Sequence, residues 1–136
     1  MVDWIVGDGT TDLLPDCSTD LRHDRAVFHF LTDEAARSAY LSQVMRCVKS
    51  GGHVLVETFA FDGPEKCSGL PVARYDTDGI HAAFGASLDK VGEAAEIHET
   101  PLGRGAVVCL LLLPPGRLTC WIEAKQSSVL ACSRRR

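Results

Sequence analysis

Residues 23–30, HDRAVFHF, gather two histidines, an aspartate and an arginine around a short apolar run. Histidine titrates near neutral pH and ligates metals, and a neighbouring carboxylate can orient it. Three chemistries are open to such a group: a metal site, an acid–base cluster, or the polar tip of a buried strand. A metal-dependent hydrolase would use His23, Asp24 and His29. The separation of the two histidines is not a helical ligand spacing, and no third partner stands nearby in sequence, so no metal is expected. The six cysteines (17, 47, 67, 109, 120 and 132) form no CxxC pair, and no histidine lies at finger-like spacing from one. Free thiols in a reducing compartment are their simplest reading. Cys67, in KCSGLP, could serve as a nucleophile, but no base is identifiable beside it and a plain loop thiol is the simpler account. Asp62, Arg74 and Tyr75 fall in the same loop and are read either as contacts to a substrate or as turn residues.

These groups need elements to hold them. Trp4 to Val6 is a short β-type run ended by Gly-Asp-Gly, which predicts a strand entering a tight turn. A second strand is expected over 20–24. The helix is expected over 33–49, where Tyr40, Leu41, Val44, Met45 and Val48 recur at helical spacing. Thr32 or Asp33 can cap its start, and Ser50-Gly51-Gly52 is read as its stop. The apolar triplet Val54-Leu55-Val56 in 53–61 reads as a strand buried on both faces of a parallel sheet. Strand, helix and strand in this order form a crossover unit and predict an α/β fold. A Gly/Pro-rich loop (62–76) and a weak helix (77–86) follow. Strands near 91–98 and 106–113 can close the sheet as an antiparallel hairpin. Residues 114–136 show no sustained period and read as an irregular or disordered tail.

Composition narrows the function. The chain has 136 residues, 46% of them hydrophobic, and a net charge of −4. That acidic balance argues against nucleic-acid binding, which needs a basic surface to displace counterions from phosphates. The longest apolar run, AVVCLLLL (106–113), is too short to span a bilayer. No basic, apolar leader opens the sequence, and a cytoplasmic protein without a membrane partner is the expectation.

Three segments, taken in order, resemble the class I S-adenosylmethionine-dependent methyltransferases. IVGDGTTDLLPDCSTDLRHDRAVFHFL (5–31) is similar to the family's stretch from third to fourth strand, often GDxxxLPxxxFDxVxxxxxLxHL. VKSGGHVLVETF (48–59) resembles the LKPGGxLxI turn into the fifth strand, and the intervening helix fits the family's spacing. The resemblance covers roughly residues 2–100. It implies a partial Rossmann-like fold, a three-layer sandwich lacking the first two strands and ending in an antiparallel hairpin. The partial domain would span 1–113.

The resemblance also implies S-adenosylmethionine as cofactor. Asp8 falls where the family has an acid that bonds the adenine amino group, and Gly9 and Thr10 where backbone amides approach the ring. His23, Asp24 and Arg25 fall at the carboxyl end of the fourth strand, where open α/β sheets bind ligands. His23 is the weak candidate for a catalytic base; His29 is read as structural. The family's glycine-rich turn and its ribose-binding acid have no counterpart, and Arg22 stands where an apolar residue is expected. The chain is therefore expected to be an N-terminally truncated piece. Two functions follow: methyl transfer by in-line displacement to a small-molecule or protein acceptor, or a non-catalytic remnant acting as an interaction module. Missing neighbour strands would leave a bare sheet edge open to self-association, with 3–6 either moving beside 20–24 as a substitute or staying loosely attached.

Overall fold

The computed structural model describes residues 1–11, 14–85, 88–100 and 103–113. Its elements are β1 (Thr19–Arg25), α1 (Glu34–Cys47), β2 (Val48–Phe59), β3 (Lys66–Cys67), β4 (Leu70–Pro71), α2 (Thr77–Phe84), β5 (Asp89–Thr100) and β6 (Gly103–Leu113). The expected tail, 114–136, lies outside the described residues.

β1 and β2 pair in parallel through the α1 crossover, with Arg22 opposite Val54 and Asp24 opposite Val56. β6 then inserts antiparallel between β2 and β5, giving the order β1-β2-β6-β5. The C-terminal hairpin is thus present, from Asp89 opposite Leu113 to Thr100 opposite Gly103. The expected strand at 4–6 is absent: residues 1–6 carry no regular structure and are exposed. Its β-type residues find no neighbouring ladder, and a lone strand leaves its backbone groups to water.

α1 starts as expected. Asp33 caps it, its carboxylate accepting from the Ala36 N–H at 3.0 Å. Its end differs from expectation. The helix stops at Cys47, and Val48 is already extended (φ −80°, ψ 131°). The two glycines sit inside β2, where the β1 register skips between Thr19 and Leu21. A Cβ on Gly52 would meet the Asp20 carbonyl at 2.9 Å and Val48 Cγ1 at 2.8 Å, so glycine is required by that close approach.

Both helices feed one core. Phe28, Tyr40, Val44, Val54, Val56, Ile80 and Phe84 form a single buried cluster. Val54, Val56 and Thr58 point into it, whereas Leu55, Glu57 and Phe59, on the other face of β2, are only partly buried. β2 is therefore covered on one face and half-covered on the other, not buried on both as its apolar triplet predicts. The described residues supply the sheet and the helical layer of one face. Cys47 and Cys67 carry free thiols. Cys17 is disulfide-bonded, which corrects the reading of all six as free.

Candidate functional site

The carboxyl end of β1 is where the sequence gathers its polar residues, and the backbone there turns abruptly. Ala26 has a positive φ of 59°. Its N–H still bonds to the Glu57 carbonyl at 3.0 Å, and one 3-10 turn over Phe28–Phe30 follows. Asp24 organises that turn. Its carboxylate accepts from the Val27 N–H at 2.9 Å and from the Phe28 N–H at 3.1 Å. It also accepts from the Tyr40 hydroxyl, and it is only 4% exposed. Burial, and then the Asp24 carboxylate, hold the Tyr40 hydroxyl well above the ordinary tyrosine range. The phenol is thus a fixed donor and Asp24 an acceptor whose partners all lie within the chain.

The neighbouring residues point elsewhere. His23 Nε2 lies 2.6 Å from Glu57 Oε1, and Arg25 Nε lies 3.7 Å from Glu57 Oε2. These three form an exposed cluster on the half-covered face of the sheet. The tip therefore splits by strand alternation: Arg22 and Asp24 face α1, His23 and Arg25 face away.

An open groove of about 370 Å³ runs along the outer edge of β1, lined from both faces by Gly9, Leu21, Arg22, His23, Asp24 and Tyr40 among others. Arg22 lies inside it. Its guanidinium sits 5.0 Å above the Tyr40 ring, and Nη1 is 3.4 Å from Cys47 Sγ. The aromatic face and the groove make this charge tolerable within a strand. Asp8 closes a small turn: its Oδ1 accepts from the Thr10 N–H at 2.8 Å and the Thr10 hydroxyl at 2.7 Å. Those bonds hold its carboxyl below the usual range. Gly9 rests near Tyr40, where an added Cβ would stand 3.7 Å from the ring, an ordinary contact.

Of the six residues expected to meet a cofactor, Gly9, His23 and Asp24 share this groove. Asp8 and Thr10 flank it through their turn. Arg25 is turned toward Glu57. His29 is buried, stacked 4.9 Å from Phe59 and edge-on to Phe30 at 4.5 Å, with neither ring nitrogen bonded among the described residues. Burial holds its imidazole below the ordinary value. The loop after β2 is self-contained: Arg74 bonds the carbonyls of Phe61 and Gly63 at 2.7 and 3.2 Å, and Tyr75 packs 5.5 Å from Phe28. No group of three or more His, Cys, Asp or Glu side chains among the described residues could hold a metal ion. Tyr40 and Glu57 were not anticipated as site residues. The available signal was a hydroxyl on an otherwise apolar helix face and an acid within an apolar strand, each of which needs a partner.

No protein-family model and no curated protein matches this sequence. Solved structures do match its shape. A SAM-dependent methyltransferase from Methanosarcina mazei superposes with a TM-score of 0.64 at 12% identity, over 79% of this chain and 65% of its own. The 1,6-didemethyltoxoflavin-N1-methyltransferase of Burkholderia thailandensis, solved with its 1,6-didemethyltoxoflavin and S-adenosylhomocysteine, gives 0.60 at 14%, over 77% of this chain and 48% of that one. This is the class I methyltransferase fold. A third protein, solved in work on the conversion of a disulfide into a thioacetal during echinomycin biosynthesis, gives 0.66 at 11% over 93% of the chain and 61% of its own. The chain thus spans between 48 and 65% of the length of these three structures. No helix among the described residues is long and apolar enough to cross a membrane.

Proposed function

We propose that this chain is part of a S-adenosylmethionine-dependent methyltransferase, transferring a methyl group by in-line displacement to a small-molecule or protein acceptor. The observation that carries the reading is the sheet: a parallel β1/β2 pair through α1, followed by β6 inserted antiparallel beside β2, superposes on methyltransferases. Residues at the tip of β1 support it in part. Asp8 keeps Oδ2 unbonded among the described residues, so it can accept from an adenine amino group. The Gly9 turn borders the groove that would receive the ring. The remainder of the cofactor fits less well. Asp24 is committed to Tyr40 and two backbone amides, and no other carboxylate among the described residues lines the groove to receive ribose hydroxyls. When bound, the cofactor supplies the reactive methyl group, and the protein's share is alignment. His23, oriented by Glu57, is the group placed to take a proton from an acceptor. The proposal places the protein in the cytoplasm; the free thiols of Cys47 and Cys67 favour that compartment and the Cys17 disulfide opposes it.

The committed state of Asp24 favours a second reading, a non-catalytic module that keeps the fold and binds a partner. Calorimetric titration of S-adenosylhomocysteine into the full chain separates the two. Saturable binding, weakened roughly tenfold by Asp8→Ala through the loss of one hydrogen bond, supports the methyltransferase reading. A folded chain that takes up no S-adenosylhomocysteine supports the module.

A further inference from the structure

His29 sets a polar ring in an apolar place. It is fully buried, stacked on Phe59 and edge-on to Phe30, and neither ring nitrogen has a partner among the described residues. A neutral imidazole carries one N–H donor and one bare acceptor nitrogen. Leaving both unmade in the core is unfavourable, and a phenyl ring would stack on Phe59 without that penalty. Packing alone therefore does not account for the imidazole. A second conformation of the chain, in which the ring meets water or a ligand, does.

The loop beside the stack is built to supply it. Residues 60–75 leave β2 after Phe59 and return to the same residue, the Tyr75 N–H donating to the Phe59 carbonyl at 3.0 Å. Two residues earlier the Ala73 N–H donates to the His29 carbonyl at 2.8 Å. The returning limb, 72–75, thus bridges both members of the stack. A loop whose ends meet in this way, braced by its own groups, is an Ω-loop, and such loops are often functional. Arg74 ties the returning limb to the outgoing one. Its Nη1 donates to the carbonyls of Phe61 and Gly63 at 2.7 and 3.2 Å, and its Nη2 donates to Glu65 Oε1 at 3.2 Å. The Val72 N–H adds a bond to the Glu65 carbonyl at 3.1 Å. Beyond these contacts the loop is weakly anchored: its tip is the short β3–β4 hairpin, and the side chains of Phe61 and Leu70 are exposed. Tyr75, packed on Phe28, fixes the end of the limb. We propose that this loop is a strap over His29, latched by Arg74, whose returning limb swings away at Ala73 and Arg74 and bares the imidazole. Open α/β sheets bind ligands at this carboxyl end of their strands, and a bared His29 offers one donor and one acceptor there. The strap rests on these contacts and not on the methyltransferase reading.

Diethyl pyrocarbonate, which acylates neutral imidazole, tests the strap on the full chain. Peptide mass spectrometry locates the modified residue, and the exposed His23 of the same molecule is the reference. The expected result is slow modification of His29 at a rate that stays flat through low urea, because opening a strap exposes little surface. Arg74→Ala, which removes the latch, should raise that rate about tenfold. Val44→Ala, which weakens the core without touching the polar contacts of the loop, should leave it unchanged. Far-UV circular dichroism checks that both variants fold. A His29 rate that climbs from the first addition of urea, or that Val44→Ala raises as much as Arg74→Ala, assigns the exposure to unfolding of the whole chain and overturns the proposal. So does a His29 that stays unmodified while His23 reacts to completion, or one that a folded Arg74→Ala does not accelerate. The urea profile of the native chain decides the matter even if Arg74→Ala fails to fold.

Discussion

Asp24 and Glu57 are carboxylates on neighbouring strands at adjacent steps of one parallel ladder, yet the chain treats them oppositely. Asp24 faces α1, is almost sealed from water, and accepts from a tyrosine hydroxyl and two backbone amides. Glu57 lies on the half-covered face and is held by His23 and Arg25, both well exposed. His29 makes a third case: fully buried, with both ring nitrogens unbonded among the described residues. The difference teaches that polar chemistry at the tip of β1 is divided. On the covered side it builds the turn that carries Phe28 into the core. On the other side it stays available to solvent or a ligand.

The largest effect should come from removing what Asp24 positions. Phe28 is fully buried and its ring lies 5.6, 5.5 and 4.9 Å from those of Tyr40, Tyr75 and Phe84. Phe28→Ala should cost about 3–5 kcal/mol in urea unfolding, as large-to-small changes in aromatic cores do. A cost under about 1 kcal/mol would mean that the cluster does not hold the two helices to the sheet. Next comes the hydroxyl of Tyr40. Tyr40→Phe keeps the ring and removes the donor to a buried carboxylate, at an expected cost of about 1–3 kcal/mol by the same measurement. If Tyr40→Phe were neutral, Asp24 would have to be reached by water, and the contrast with Glu57 would fail.

His29 sharpens the comparison through pH. Burial lowers its folded-state pKa below the ordinary 6.5, with the Asp24 charge opposing the shift only in part. Between the lowered folded value and the unfolded value near 6.5 the unfolded chain binds the extra proton. The stability tied to neutral His29 is therefore complete above that unfolded value and is lost as pH falls through the window below it. Urea midpoints taken from pH 7.5 downward should fall for the native chain, and His29→Phe should flatten that part of the slope. A slope unchanged by His29→Phe would assign the dependence to other groups.

Much of this arrangement was legible in the sequence, for reasons that differ by element. The α1 start was readable because Asp33 and the spacing of Tyr40 and Val44 act locally, and the hairpin because its two strands are consecutive. The polar tip of β1 was also readable, since Asp24 interrupts an apolar pattern where a strand must end. Its role was not. Whether a carboxylate meets a ligand or closes on a tyrosine 16 residues later depends on the crossover, which brings Tyr40 over the strand. Gly51 and Gly52 show the same limit. They suit a helix stop as well as a bulge, and only the approach of the Asp20 carbonyl decides for the bulge. The run 4–6 has β-type residues but no neighbour to pair with, and residue preference alone does not make a strand.

The smallest effect is expected on the half-covered face. His23 is 43% and Glu57 17% exposed by side chain, and the second cation, Arg25, is 67% exposed. Solvent screens such pairs, and holding the side chains together costs entropy, so Glu57→Gln should change stability by less than about 1 kcal/mol. Measuring Glu57→Gln beside Tyr40→Phe at pH 7.5 places both carboxylates on one scale. Equal costs would mean that Glu57 is as deeply committed to the fold as Asp24. A clear gap leaves the His23–Glu57 pair free to meet a substrate.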